Sequence, residues 1–189
     1  KNNINLIKDI LPFNKDNSVN VIIEIPKGST EKWEVSKIDG QLEHDFKMGK
    51  PRTVKYGDYE VNYGMIPGTS YSYRLGGDGD MIDAIVLGKK IKRGKKVKVM
   101  PIGIMRMTDF GKNDFKIVSV IYEDYKKSNN ISEKLFKSNY DEIEKLRVWF
   151  ENYKGNNIVK FLSYGNGKEA YDLIKLASIE FKKNGIRPF

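Results

Sequence analysis

Short apolar segments separated by turn residues dominate the first two thirds of this 189-residue chain, and they constrain its fold more than any other feature. The segments are rich in Val and Ile, and Gly, Asn and Asp lie between them, as is typical of β-strands joined by tight turns. They cover Val19–Ile25, Lys32–Val35, Asp83–Leu87, Val97–Met107 and Phe115–Ile121. We therefore predict an antiparallel meander or a small barrel in this part of the chain.

Helical periodicity is confined to the last third of the chain. Apolar residues recur at three- and four-residue steps in a segment, 132–153, that opens with Ser-Glu, and this predicts one amphipathic helix. A second such segment, 168–183, precedes the stop signals Gly185 and Pro188. Because strands come first and helices follow, we expect an α+β fold, and the length suits a single domain over residues 1–189.

The amino-acid composition limits the chemistry that the chain can support. There is no cysteine and only one histidine, His44, so any metal ion must be held by oxygen ligands. No run of eighteen apolar residues is present, and the first residues lack the apolar stretch of a signal peptide. We accordingly expect a cytoplasmic protein that does not associate with a membrane.

The charge balance points to an anionic partner. The formal net charge is +9, and seven of the ten residues in Lys89–Lys98 are Lys or Arg. A barrel that binds single-stranded nucleic acid is therefore the main alternative to an enzyme. However, Lys89–Lys98 contains no aromatic residue for base stacking, which favours a solvated hairpin around Gly94 and argues against nucleic acid.

Three acidic residues crowd a glycine-rich turn in the segment Gly76–Val86. Asp78, Asp80 and Asp83 cannot all remain ionised at this spacing unless a cation compensates them. Mg²⁺ suits oxygen-only ligation and commonly bridges carboxylates to substrate phosphates. The alternative is a solvated acidic turn, because Asp and Gly are ordinary turn formers.

A second group of charged residues lies at a predicted hairpin. Asp109 and Asp114 bracket the loop between two strand-like segments, and Lys116 lies on the same strand face as Asp114. Acids at the two ends of such a loop lie close enough to share a cation. A plain hairpin explains the segment equally well.

A third group lies inside predicted strands. Glu24 interrupts the apolar segment Val19–Ile25, and Glu34 alternates with apolar residues on the same strand as Lys32. Acids are depleted from strands, so each needs a partner across the sheet, a functional site or a half-exposed strand to explain it.

Together these segments resemble the soluble inorganic pyrophosphatases of family I, and the resemblance extends from about Val19 to Tyr164. Six motifs of that family occur in the same order with nearly the same gaps. They are Val21–Pro26, Lys32–Glu34, Asn62–Thr69, Asp78–Asp83, the Asp109, Asp114 and Lys116 set, and Phe150–Lys154.

The resemblance implies a fold, an activity and an assembly. The fold would be a small closed antiparallel β-barrel of five strands, OB-like, with two C-terminal helices packed outside. The activity would be hydrolysis of pyrophosphate to two phosphates, with several Mg²⁺ ions in each active site. A catalytically inactive relative is an alternative. We expect a homo-oligomer, and the chain length favours a hexamer over a dimer.

The resemblance also assigns a role to each candidate site residue. The metal ligands would be Asp78, Asp83, Asp109, Asp114, Glu24 and Glu34. Asp80 would be the general base and Tyr63 would orient the nucleophile. The phosphate-binding residues would be Lys32, Arg52, Lys116, Tyr153 and Lys154.

The sequence departs from the family pattern at several positions. Met81 and Glu60 replace prolines, and a small insertion is needed to align Arg52. Asn156 and Asn157 lie where the family carries a lysine. We therefore expect a looser acidic loop and weaker binding of product phosphate.

Overall fold

The computed structural model describes residues 3–186, which form a mixed α+β fold. The strands are β1 (Val19–Ile25), β2 (Trp33–Val35), β3 (Leu42–His44), β4 (Phe46–Lys47), β5 (Lys50–Pro51), β6 (Asn62–Met65), β7 (Asp83–Leu87), β8 (Lys96–Asp109), β9 (Lys112–Asn113), β10 (Lys116–Ile121) and β11 (Val159–Asn166). The helices in this range are α1 (Tyr122–Lys127), α2 (Ser132–Ser138), α3 (Tyr140–Asn152) and α4 (Gly167–Asn184). Strands β1 and β7 have the predicted bounds.

Five strands of the main sheet form a ring. The neighbours run β1, β6, β7, β10 and β8, and β8 pairs again with β1. Strand β11 adds to β8 outside the ring. Gly64 allows β1 and β6 to approach closely, because a Cβ there would overlap the carbonyl oxygen of Ile22.

The prediction of a purely antiparallel sheet is wrong at one pair of strands. Strands β7 and β10 run parallel, with Asp83 opposite Lys116 and Leu87 opposite Val120. Parallel neighbours require a long crossover connection, and here the intervening chain supplies it by forming β8 on the far side of β10.

The prediction of two C-terminal helices is also corrected. The segment expected to be one helix, 132–153, is two helices broken at Asn139, whose side chain donates a hydrogen bond to the Leu135 carbonyl at 2.8 Å. Asn competes for backbone groups in this way and favours helix ends. The second helix is confirmed as α4, with an Asn166–Glu169 capping box at its start. Gly185 caps its end, and Pro188 lies outside the described residues.

The helices α3 and α4 cover apolar surface on the sheet. Ile174 and Ala177 of α4 belong to the same buried apolar cluster as Val21 of β1, and Phe150 of α3 belongs to a second cluster with Ile25. Burying an aliphatic or aromatic side chain of this size contributes roughly 1.5–3 kcal/mol, so these contacts hold the ring in shape. Across residues 3–186, none of the helices has the length and apolar character that crossing a membrane requires.

Candidate active site

A cavity of about 580 Å³ gathers residues from segments that are distant in the chain. Every residue that the sequence predicts for the site, except Arg52, lines it. These residues are Glu24, Lys32, Glu34, Tyr63, Asp78, Asp80, Asp83, Asp109, Asp114, Lys116, Tyr153 and Lys154. The cavity therefore combines carboxylates with lysines, and tyrosines form part of its wall.

Lys116 lies between two of the predicted metal-binding acids. Its ammonium is 3.1 Å from Asp114 Oδ2 and 3.5 Å from Asp83 Oδ2, and it donates to the Tyr63 hydroxyl at 2.8 Å. The rings of Tyr63 and Phe150 lie 4.9 and 5.0 Å from the same nitrogen. The Lys116 side chain is only 3% exposed, so its charge is compensated by these neighbours and not by water.

Burial and proximity shift the pKa values of this cluster. Burial raises the pKa of Asp83, and the negative charge of Asp114 adds to the rise although Lys116 opposes it. For Asp114, burial works in the same direction, but the Lys116 charge and the hydrogen bonds with Asp83 and Lys116 together outweigh it and lower the pKa. Burial alone would lower the pKa of Lys116, yet the two carboxylates raise it. Lys116 therefore remains charged, and the acid pair retains a proton more readily than two exposed carboxylates would.

Glu24 is anchored to the neighbouring strand β2. Its carboxylate is buried and accepts a hydrogen bond from the Val35 amide at 2.8 Å. Burial raises the pKa of Glu24 well above its usual range. Arg93 supports the same region, because its Nε donates to the Glu24 carbonyl at 3.0 Å and its guanidinium lies 4.7 Å from the Trp33 ring centre. These contacts position Lys32 and Glu34, which flank Trp33.

The Asp78–Asp83 turn holds its acids through backbone contacts. Gly79 has φ +86°, a conformation that few other residues adopt readily, and it allows the Asp80 amide to donate to Asp78 Oδ1 at 3.0 Å. Met81, which stands where the family carries proline, is buried and packs in an apolar cluster. The Asp80 carboxylate forms an ion pair with Lys37.

The end of β8 and the chain after α3 form another wall of the cavity. The Lys154 ammonium forms an ion pair with Asp109 Oδ2, whereas Asp109 Oδ1 is buried without a hydrogen-bond partner among residues 3–186. Tyr153 stacks on Trp149 with ring centres 4.8 Å apart. Burial raises the pKa of the Tyr153 hydroxyl, so it is a neutral hydrogen-bond donor at neutral pH.

The donor set suits a hard divalent cation. All the candidate ligands are carboxylate oxygens, and a cation would supply the partner that the buried Asp109 Oδ1 lacks within residues 3–186. Over the described part of the chain, no three acids yet converge tightly enough to form a ready-made metal site. Lysine ammonium groups compensate Asp80, Asp83, Asp109 and Asp114 instead.

Arg52 is the one predicted site residue that the structure does not bring into the cavity. Its guanidinium is paired with Asp45, with Nη1 2.6 Å from Oδ2. The Arg52 carbonyl accepts a hydrogen bond from the Lys32 amide at 3.0 Å, so the residue is adjacent to the site although it does not line the cavity. The insertion assumed between β2 and β6 contains β3, β4 and β5, whose paths could not be derived from the sequence.

Lys37 is a charged residue of the cavity that the sequence analysis missed. It lines the cavity and pairs with Asp80, yet it lies in the loop after β2, outside the motifs. The position of the loop relative to Asp80, which is distant in the chain, is decided by tertiary packing. No signal in the sequence identified it.

The basic segment Lys89–Lys98 forms a turn at Arg93 and Gly94 that leads into β8. Its lysines are exposed, as expected for a solvated hairpin, and it does not line the cavity. The buried side chain of Asn62 fixes the start of this turn by accepting from the Ile91 amide at 2.9 Å and donating to the Lys89 carbonyl at 2.8 Å.

The fold and the cavity are those of a protein that gathers carboxylates and lysines at a five-stranded ring, a set of side chains suited to a divalent cation together with an anion. The family model described as inorganic pyrophosphatase matches residues 21–182, and the chain belongs to that family.

Individual relatives agree with this assignment. The chain is 34% identical over 177 residues to an inorganic pyrophosphatase of Picrophilus torridus, covering 90% of this chain and 91% of that protein. It is 33% identical over 150 residues to a chloroplastic soluble inorganic pyrophosphatase of Chlamydomonas reinhardtii, covering 74% of this chain but only 53% of that protein. A solved structure of the truncated vacuolar soluble pyrophosphatase of Trypanosoma cruzi, in complex with PPi, superposes with a TM-score of 0.88 at 26% identity. That match covers 95% of this chain and 79% of the other.

Proposed function

We propose that this chain hydrolyses pyrophosphate to two phosphates with the help of Mg²⁺. The observation that carries the proposal is the alternation of carboxylates and lysines around one cavity, which suits a complex of a divalent cation with a polyanion. Membership of the inorganic pyrophosphatase family and the likeness to a protein solved with PPi support it.

Proteins of this family are metal-dependent, and the donor set here fits Mg²⁺. Asp78, Asp83 and Asp114 would hold the first ions, Asp109 would recruit those that arrive with substrate, and Glu24 and Glu34 would bind through water. When bound, Mg²⁺ supplies positive charge to the phosphate oxygens and makes water more acidic.

The protein side chains supply proton transfer and substrate positioning. Asp80 is partly exposed in the cavity and would accept a proton from the attacking water. Lys116 holds the Tyr63 hydroxyl, so Tyr63 would orient the nucleophile. Lys32, Lys116, Lys154 and Tyr153 would bind phosphate oxygens through charge-assisted hydrogen bonds, and water would add to one phosphorus as the bridging P–O bond breaks.

Other features stay predictions. We interpret the ring of five strands as a small closed barrel of the OB type, since its pairings return to β1. Arg52 would have to leave Asp45 to bind phosphate. The single domain, the hexamer and the cytoplasmic location also stay predictions.

The direct test is release of phosphate from pyrophosphate with and without Mg²⁺. We expect release that requires the metal. The Asp172→Asn variant is a suitable control, because Asp172 lies on α4, pairs with Lys168 and does not line the cavity. Absence of release by the wild-type protein in Mg²⁺ would favour the inactive relative, and salt-sensitive binding of an oligonucleotide would then favour the nucleic-acid alternative.

A further inference from the structure

Three lysines around the cavity form ion pairs that follow one pattern. Lys116 pairs with Asp83 and Asp114, Lys154 with Asp109, and Lys37 with Asp80. In each pair a lysine lies on a carboxylate assigned to metal binding or proton transfer. Lys116 and Lys154 are also two of the three lysines that the family resemblance assigns to phosphate, whereas Lys37 has no assigned role.

The pattern has a physical reason. A divalent cation competes with the ammonium group for the carboxylate, and pyrophosphate competes with the carboxylate for the ammonium group. When both enter the cavity, the lysine–carboxylate ion pair is replaced by two stronger interactions, one between the carboxylate and the cation and one between the ammonium group and pyrophosphate. A lysine that is paired with a site carboxylate is therefore already positioned to bind the incoming anion.

Lys37 is suited to such an exchange. Its backbone is fixed next to Ser36, whose amide donates to the Gln41 carbonyl at 2.8 Å and whose carbonyl accepts from Gly40 at 2.8 Å. The Lys37 and Asp80 side chains are 31% and 48% exposed, so the pair is weakly held and the ammonium can move within the cavity.

We propose that Lys37 is a further phosphate-binding residue, whose ammonium group leaves Asp80 and binds an oxygen of pyrophosphate. The inference rests on the proposed function of the same site. It adds a lysine from the β2–β3 loop to the residues that hold the substrate.

Lys112 provides the matched control for a test. It lines the same cavity and is exposed, but it is not among the ion-paired lysines of residues 3–186. Lys37→Gln and Lys112→Gln therefore remove the same charge from the same cavity, and only the first removes a lysine that is held on a site carboxylate.

The experiment measures equilibrium binding of imidodiphosphate, a hydrolysis-resistant analogue, in Mg²⁺ by calorimetry. Loss of one charge-assisted hydrogen bond should weaken binding about tenfold in Lys37→Gln, and Lys112→Gln and Lys37→Arg should stay within about threefold of wild type. In the absence of the anion, Lys37→Gln should bind Mn²⁺ at least as tightly as wild type, because the competing ammonium group at Asp80 is gone.

Equal weakening in Lys37→Gln and Lys112→Gln would overturn the inference, since overall charge would then explain both. If Lys37→Gln binds imidodiphosphate as tightly as wild type, and the wild-type protein releases phosphate, the inference is overturned and the proposed function stays intact. Conversely, wild-type protein that binds imidodiphosphate but releases no phosphate would contradict the proposed activity and not the role of Lys37.

Discussion

Asp83 and Lys116 are direct partners on the parallel strands β7 and β10, and the Asp83 Oδ2 and Lys116 Nζ atoms lie 3.5 Å apart. Both residues are the first of their strands. Because parallel strands begin at the same edge of a sheet, the acidic turn before β7 and the Asp114 segment before β10 meet there. This one strand pairing assembles the centre of the candidate site.

Replacing Lys116 should expose the repulsion between Asp83 and Asp114. We expect Lys116→Met to lower the free energy of unfolding of the metal-free protein by about 3 kcal/mol, because the buried acids lose their partner. Urea unfolding measures this loss, and Lys112→Met, at an exposed position, serves as the control. Mg²⁺ should restore more stability to Lys116→Met than to wild type. A loss below about 1 kcal/mol would show that the acids do not depend on Lys116.

Glu24 should make the metal-free protein less stable as the pH rises. Its pKa in the folded state lies above the usual 4.5, so the folded state binds more protons than the unfolded state between those two values. The stabilisation is complete below pH 4.5 and is lost as the pH rises towards the folded-state pKa. The difference in unfolding free energy between Glu24→Gln and wild type should therefore shift in favour of the variant by about 1 kcal/mol or more from pH 5 to pH 8. Urea unfolding at both pH values measures this shift. Glu43→Gln, at an exposed position, should show no such gain.

Asp80→Asn should separate catalysis from folding. We expect kcat to fall about 100-fold or more, because the variant cannot accept a proton from water. The unfolding free energy should stay within about 0.5 kcal/mol of wild type, since the Asp80 side chain is 48% exposed. Phosphate release and urea unfolding are measured on the same preparations. Near-wild-type turnover would remove Asp80 from the mechanism.

Asn62 should be important for stability although it lies outside the site. Its buried amide accepts from the Lys27 and Ile91 amides and donates to the Val86 and Lys89 carbonyls. Asn62→Ala should lower the free energy of unfolding by at least about 2 kcal/mol, because these backbone groups lose their partners. Asn152→Ala, which loses one exposed bond to Val148, should have a much smaller effect.

The exposed lysines of the Lys89–Lys98 turn should contribute to substrate attraction and little to folding. Replacing Lys89, Lys90 and Lys92 with Gln should change the unfolding free energy by less than about 1 kcal/mol and leave kcat unchanged. At low ionic strength kcat/KM should decrease, and the decrease should vanish at high salt. A salt-independent decrease in kcat/KM would instead indicate a direct contact with substrate.

The sequence alone determined the residue types of the site and most of the strands that carry them. Segments rich in Val and Ile between turn residues located β1 and β7 with their bounds, and the acids at Asp78–Asp83 and at Asp109 and Asp114 were recognisable from spacing and motif. The stop signal Gly185 was equally local, because it caps the end of α4 directly.

Tertiary structure decided which distant segments meet. The parallel pairing of β7 and β10, the pairing of Arg52 with Asp45 and the position of Lys37 beside Asp80 all join residues through the packing of separate elements. Neighbouring residues cannot specify such contacts, since the energies that select them come from burying the ring and covering it with α3 and α4. For the same reason α1, a short polar helix, and β11, a strand with mixed exposure, left no periodic signal.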